Sequence, residues 1–175
     1  ELHMALTPAQ LTSLRAAVFA DAPSAALLAA GDAHGLRAAL NAASSPAFIL
    51  WRTKVGQDEI MQNGFDWVRV DNLSVGKARI WEWLFDNQDR TISPTKLNVR
   101  AGIDECWKGT AADLAVRAAV YAHCKRTASL AERMLATGTG SDAVPATATY
   151  EGSLSELDSA LLIFKDDGTI WTAQG

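Results

Sequence analysis

The sequence predicts a mainly α-helical protein: a helical bundle around one long central helix, with a small β element. Hydrophobic residues make up 49% of the 175 positions and charged residues 21%, which is the usage of a folded globular chain. Serine and threonine repeatedly precede apolar runs of helical spacing, and the longest such run covers 111–136. A chain of this length can support a core without a metal or disulfides, so we expect one domain.

The first 46 residues predict three helices. Thr7 can cap a helix that begins at Pro8, and Gln10 stands where a capping box is completed. Asp21-Ala22-Pro23 ends this helix after Phe19. Two shorter helices are predicted to follow, over 24–30 and 33–43.

Residues 47–70 change to aromatic and β-branched types, which predicts extended segments. The alternation of side chains over 65–70 has a period of two, which is typical of a strand. Between these segments, 58–62 indicates one helical turn that Asn63-Gly64 stops.

Two helices are predicted next. Ser74 can cap a helix to Phe85 that is apolar almost all round, which predicts burial on more than one side. Trp81 and Trp83 lie about 200° apart on this helix. If one indole faces the core, the other faces a second packing layer or a partner. A further helix is predicted over 97–107.

The longest predicted helix runs from Ala111 to Ala136, about 40 Å at 1.5 Å per residue. Thr110 with Asp113 marks its start. Two adjacent apolar stripes give it a wide buried face, so we expect the shorter helices to pack around it.

The C-terminal part begins at Gly138, a residue type that commonly ends helices. The composition of 138–152 predicts a flexible, mobile loop. Ser155 then starts a short helix. Residues 161–164 and 169–171, on either side of an Asp-Asp-Gly turn, predict a hairpin that docks on the rest of the protein.

Four segments follow from this organisation. Glu1-Leu2-His3 ahead of Met4 indicates a cloning remnant, so His3 is left out of functional reasoning. The predicted segments are the remnant 1–3, a helical domain 4–137, a flexible loop 138–152 and a C-terminal helix and hairpin 153–175.

The charge balance disfavours some classes of partner. Sixteen basic and twenty acidic residues give a net charge of −4, whereas nucleic-acid binding usually needs a basic surface. Eight basic residues do lie among aromatics in the middle third, but acidic residues offset them. No signal sequence or run of eighteen apolar residues is present. We therefore expect a protein made and kept in the cytosol, without a membrane partner.

No pattern predicts a reaction site. His123 and Cys124 are adjacent on a predicted helix and point about 100° apart, so they do not share a metal or thiol site. The acidic pairs Asp58-Glu59 and Asp104-Glu105 are expected on solvated surfaces, and Cys106 is expected to be reduced. We assign no catalytic, cofactor, metal or small-molecule site and expect a protein that is not an enzyme.

Six tryptophans are the most unusual feature of the composition, and they serve either core packing or an interface. The helix from Ser74 and the C-terminal hairpin are the surfaces expected to bind partners. Their predicted interaction residues are Arg79, Trp81, Trp83, Ile163, Phe164 and Trp171.

Several sequence blocks resemble a family of small proteins encoded by tailed bacteriophages and prophages. The blocks are Ser45-Pro46-Ala47-Phe48, Trp51-Arg52-Thr53, 58–85 ending in Ala-Arg-Ile-Trp-Glu-Trp, Asn98 to Ile103 and 109–126. The likeness covers about 7–152, and 161–175 departs from it. The resemblance implies a virion structural or assembly protein, such as a head–tail adaptor or completion protein.

On this basis we expect a non-enzymatic protein that binds other phage structural proteins or itself as a homo-oligomer. It would fold in the host cytoplasm and then enter the virion. The alternative is a phage-encoded inhibitor that binds a host protein, because such a protein would have the same sequence properties.

Overall fold

The computed structural model describes residues 6–62 and 65–173. The proposed remnant, the start at Met4 and the helix stop at Asn63-Gly64 lie outside the described residues. The chain forms two compact units. Unit 1 contains the residues up to Leu50 and from Thr127 onwards, and unit 2 is Trp51–Arg126.

The prediction of a mainly α protein with a small β element is confirmed. The helices of the described residues are α1 Pro8–Ala20, α2 Ala22–Ala29, α3 Ala33–Asn41, α4 Gln57–Ile60, α5 Trp67–Asp71, α6 Val75–Leu84, α7 Leu97–Cys106, α8 Ala111–His123, α9 Leu130–Leu135 and α10 Glu156–Ile163. The strands are β1 Ile49–Trp51, β2 Val55–Gly56, β3 Thr91–Ile92 and β4 Lys125–Thr127. β1 and β4 form one two-stranded sheet. β2 pairs antiparallel with β3 in the other.

Unit 1 is held by an aliphatic core. α1 packs on α2, α9 and α10, and α3 packs on α2, α9 and α10. Each helix contributes leucines or other aliphatic residues from its inner face, which is the pattern of a helical bundle. The fully buried leucines of this core are Leu14, Leu28, Leu36, Leu40 and Leu162.

Unit 2 is held by an aromatic core instead. Trp81 of α6 is 2% exposed and Trp107, which follows α7, is fully buried. Their ring centroids are 5.3 Å apart in an edge-to-face arrangement, which is a favourable geometry for aromatic pairs. Phe65 and Phe85 contact the same cluster. The two units thus have separate cores, and the range 4–137, expected to be one domain, contributes residues to both.

The prediction of one long central helix over 111–136 is wrong. Helix α8 ends at His123, the backbone is extended in β4, and α9 begins at Leu130. Backbone hydrogen bonds to residues distant in sequence stabilise this break between the two helices. The Ala128 N–H donates to the Phe48 carbonyl, and the Leu130 N–H donates to the Ala42 carbonyl. Ser129 then caps α9 with a complete capping box.

Three further differences concern local structure. Residues 67–71, predicted as part of a strand, form α5, with Asp66 as the cap. The C-terminal hairpin is reduced to an antiparallel bridge between Phe164 and Ile170, because 161–163 continue α10. The 138–152 segment is irregular as predicted, but it belongs to unit 1 and packs into it, because Ala146 and Tyr150 are buried.

Gly140 has a left-handed φ of +66°, and a Cβ placed there would overlap the Phe48 ring. We therefore expect Gly140→Ala to lower the free energy of unfolding by about 2–4 kcal/mol, the sum of backbone strain and overpacking. Gly168→Ala is the matched control, because Gly168 also has a left-handed φ but open space around it; it should cost about 1 kcal/mol. Urea unfolding measures both. Equal losses of unfolding free energy in the two variants would contradict an overlap between the new Cβ and the Phe48 ring.

Asp113 makes the stability of α8 dependent on pH. Hydrogen bonds from the Arg69 guanidinium, 2.6 Å away, and from Thr110 lower the pKa of Asp113 to about 2. Because the pKa of Asp113 is lower in the folded than in the unfolded protein, its ionised form stabilises the fold at pH values above the unfolded pKa of about 3.9. This contribution is lost as the pH falls towards 2. Asp113→Asn should therefore be less stable than wild type at pH 5, with the difference narrowing towards pH 2. Urea unfolding of both proteins between pH 5 and pH 2 measures this. A difference in the free energy of unfolding that does not change with pH would contradict the prediction.

Candidate interaction surfaces

Helix α6 is oriented by its buried tryptophan. Ser74 caps the helix, its Oγ accepting the Lys77 N–H at 3.4 Å. Seven residues after Ser74, Trp81 points into unit 2, with its ring centroid 5.1 Å from that of Phe85. At 100° per residue, the inward direction of Trp81 sends Trp83 to the opposite side of the helix.

The outer side of α6 is exposed along its length. We call the α6 face the set of residues that share this side, including Asp86 just after the helix: Val75, Gly76, Arg79, Glu82, Trp83 and Asp86. Trp83 is 65% exposed and Val75 is 78% exposed. An exposed tryptophan is uncommon, because an indole buries a large apolar area when it has a packing partner.

A shallow cleft of about 420 Å³ lies beside Trp83. Its lining is mainly polar: Gln57, Glu82, Phe85, Asp86, Asn87 and Arg90 accompany Trp83. Arg90 reaches across it, donating from Nη1 to Gln57 Oε1 at 3.2 Å. The cleft therefore combines one aromatic surface with charges of both signs.

The second exposed apolar surface is on α10, in unit 1. We call the α10 face the residues Leu157, Leu161 and Phe164, whose exposed fractions are 68%, 41% and 36%. Their spacing of four and three residues places them on one side of the helix and its C-terminal end. Ile163 lies on the opposite side and is fully buried.

Trp171 lies close to the end of α10 and is held by two cations. The Arg15 guanidinium carbon is 4.1 Å from the ring centroid and Lys165 Nζ is 4.9 Å from it, both within cation–π distance. Arg15 also donates to the carbonyls of Leu161 and Leu162, which are free at the end of the helix. Partial burial lowers the pKa of Arg15. The indole is thus fixed by contacts within unit 1.

The predicted interaction residues divide into three groups according to their exposure. Arg79 and Trp83 lie together on the α6 face, and Phe164 is exposed on the α10 face. Trp171 is half-buried, and Trp81 and Ile163 are core residues, so neither of these two can contact a partner in this conformation.

The sequence reasoning missed exposed residues on both faces, Val75 on α6 and Leu157 and Leu161 on α10. Leu157, Leu161 and Phe164 have helical spacing, which is a detectable signal. The same helix also buries Leu162 and Ile163. From the sequence, either apolar set could have been the one that faces the core.

Three of the four acidic residues considered from the sequence make structural contacts. Glu59 pairs with Arg52, Glu105 with Lys108, and Asp104 accepts from the Tyr121 hydroxyl at 2.9 Å. Within residues 6–62 and 65–173, no cluster of three or more His, Cys, Asp or Glu side chains is arranged to hold a metal ion.

Comparison of the chain with protein-family models, curated proteins and solved structures returns no match. Among the described helices, none has the length and apolar character needed to cross a bilayer.

Both cysteines should be unreactive in the native protein. Burial raises the pKa of Cys106 to about 11 and that of Cys124 to about 12, so little thiolate is present at neutral pH. We expect the reaction with a thiol-specific disulfide reagent at pH 8 to be at least about 100-fold slower in native than in urea-unfolded protein. A thiol that reacts equally fast in both states would contradict the observed burial.

Proposed function

We propose that this chain is a non-enzymatic bacteriophage assembly protein of the head–tail adaptor or completion type, which acts through protein–protein contacts. The observation that carries the proposal is the 65% exposed Trp83 on the α6 face. Tryptophan is enriched among residues that dominate binding energy.

The magnitude of the exposed area supports a binding role. A tryptophan side chain buries about 150–250 Å² when covered. At about 25 cal/mol per Å², covering the exposed two-thirds of Trp83 would contribute about 2–4 kcal/mol to an interface. Val75 would add to this on the same side. These contributions are large enough for Trp83 to decide whether a partner binds.

The charges on the α6 face support a protein partner. Arg79, Glu82 and Asp86 surround the indole with both signs, and polar residues around an aromatic centre are typical of protein interfaces. The chain as a whole carries a charge of −4. The partners that we propose are other phage structural proteins or a second copy of this chain, met in the host cytoplasm before incorporation into the particle.

The phage context is supported by the sequence resemblance, and it is tested in particles. A phage that lacks the gene is complemented with wild type or with Trp83→Ala, and purified particles are analysed by quantitative mass spectrometry. We expect wild type to be incorporated and Trp83→Ala to be reduced about tenfold or more, because truncating a central interface tryptophan typically costs 2 kcal/mol or more.

Leu97→Ala is the matched control. Leu97 is also in unit 2 and is 77% exposed, but it lies on α7. This variant should be incorporated like wild type. If wild type is absent from purified particles, the assembly role is wrong; capture of a host protein by the same chain would then favour an inhibitor.

A further inference from the structure

The charges on the α6 face have a definite order along the helix. Arg79 precedes Trp83 by one turn, and Asp86 follows it by about one turn. All three side chains are exposed. In the part of the chain that the structure describes, neither Arg79 nor Asp86 has an ion-pair partner. Along the face, Arg79 thus lies one turn before the indole, Glu82 lies beside it and Asp86 lies about one turn after it.

This order makes the face complementary to itself. In an antiparallel pair of identical helices, a residue before the two-fold axis faces a residue equally far after it. Arg79 and Asp86 are equidistant from a centre between Glu82 and Trp83. Both Arg79–Asp86 pairs could then form across the axis, about 10 Å apart at 1.5 Å per residue. A parallel pair would instead place Arg79 beside Arg79.

We infer that the α6 face binds the same face of a second copy of this chain, antiparallel, with the two Trp83 indoles at the centre and Arg79 of each copy paired with Asp86 of the other. The inference rests on the proposed function, because it identifies the partner of the surface that carries it. The antiparallel arrangement also places opposite ends of the helix dipoles together.

The mixed charge favours this occupant over a strongly basic or acidic partner segment. A basic segment would be attracted by Glu82 and Asp86 but repelled by Arg79. An acidic segment would be attracted by Arg79 but repelled by Glu82 and Asp86. A second, antiparallel copy of the face supplies the opposite charge to both Arg79 and Asp86. The face extends over about three turns, so the buried area is small for a protein interface, and we expect a reversible dimer with a dissociation constant in the micromolar range.

The test is the mass of the full chain in solution, measured by light scattering and sedimentation equilibrium from about 1 to 500 μM. Wild type should change from monomer to dimer over this range. Trp83→Ala should remain monomeric, and Leu97→Ala should dimerise like wild type. Arg79→Asp and Asp86→Arg should each weaken dimerisation tenfold or more, since each places like charges together twice. Circular dichroism and Tm close to wild type would show that the variants are folded.

Mixing the two charge variants tests whether their loss of dimer is caused by charge. In an equimolar mixture of Arg79→Asp and Asp86→Arg, the acid introduced at position 79 faces the arginine introduced at position 86. In the other pair, native Arg79 faces native Asp86. Dimer should therefore return in the mixture, although each variant alone is monomeric. A parallel pair already places Arg79 beside Arg79 and Asp86 beside Asp86 in wild type, so neither single variant would weaken it further. The loss of dimer in each variant alone therefore separates antiparallel from parallel pairing, and the recovery in the mixture shows that the loss is due to charge.

Two results would overturn the inference: a wild-type monomer at 500 μM, or a mixture that stays monomeric. If wild type is monomeric but Trp83→Ala still abolishes incorporation into particles, self-pairing is wrong and the assembly function stands. If the dimer forms as described but Trp83→Ala is incorporated normally, the assembly function of this face is wrong and the self-pairing stands.

Discussion

Trp81 is surrounded by aromatic rings from other segments of unit 2, and its burial determines how helix α6 is rotated. Phe65 stacks on it, Phe85 and Trp107 contact it edge to face, and it is 2% exposed. Because the helical period is 3.6 residues, this single orientation turns Trp83 outward together with Arg79. The exposed α6 face of unit 2 is therefore a consequence of its core.

The same relation between core and surface occurs in unit 1, with different chemistry. Helix α10 buries Leu162 and Ile163, and Leu157, Leu161 and Phe164 are consequently exposed on its other side. There, Arg15 binds the last carbonyls of the helix and also covers the Trp171 ring. Contacts within unit 1 therefore already cover part of the Trp171 indole. Among the described residues, no cation lies over the Trp83 ring. This difference makes the α6 face the better candidate for binding another protein.

The predictable parts of this structure are those that depend on residues close in sequence. The capping signals of Thr7, Ser74 and Thr110 predicted the starts of α1, α6 and α8. The opposite directions of Trp81 and Trp83 also followed from helical geometry alone. The break after α8 was missed because hydrogen bonds to Ala42 and Phe48, some 80 residues away, stabilise it. A local signal did exist there: Ser129 and Glu132 have the spacing of a capping box.

The discontinuous sequence of unit 1 affects how the protein folds during synthesis. This unit needs α1 to α3 together with α9 and α10, but all of unit 2 is translated between them. At 5–20 residues per second, the ribosome takes roughly 4–15 s to add the intervening residues. Unit 2 can fold as it emerges, whereas the three N-terminal helices must wait with their leucines uncovered. During that interval they are the segment of the nascent chain most in need of a chaperone.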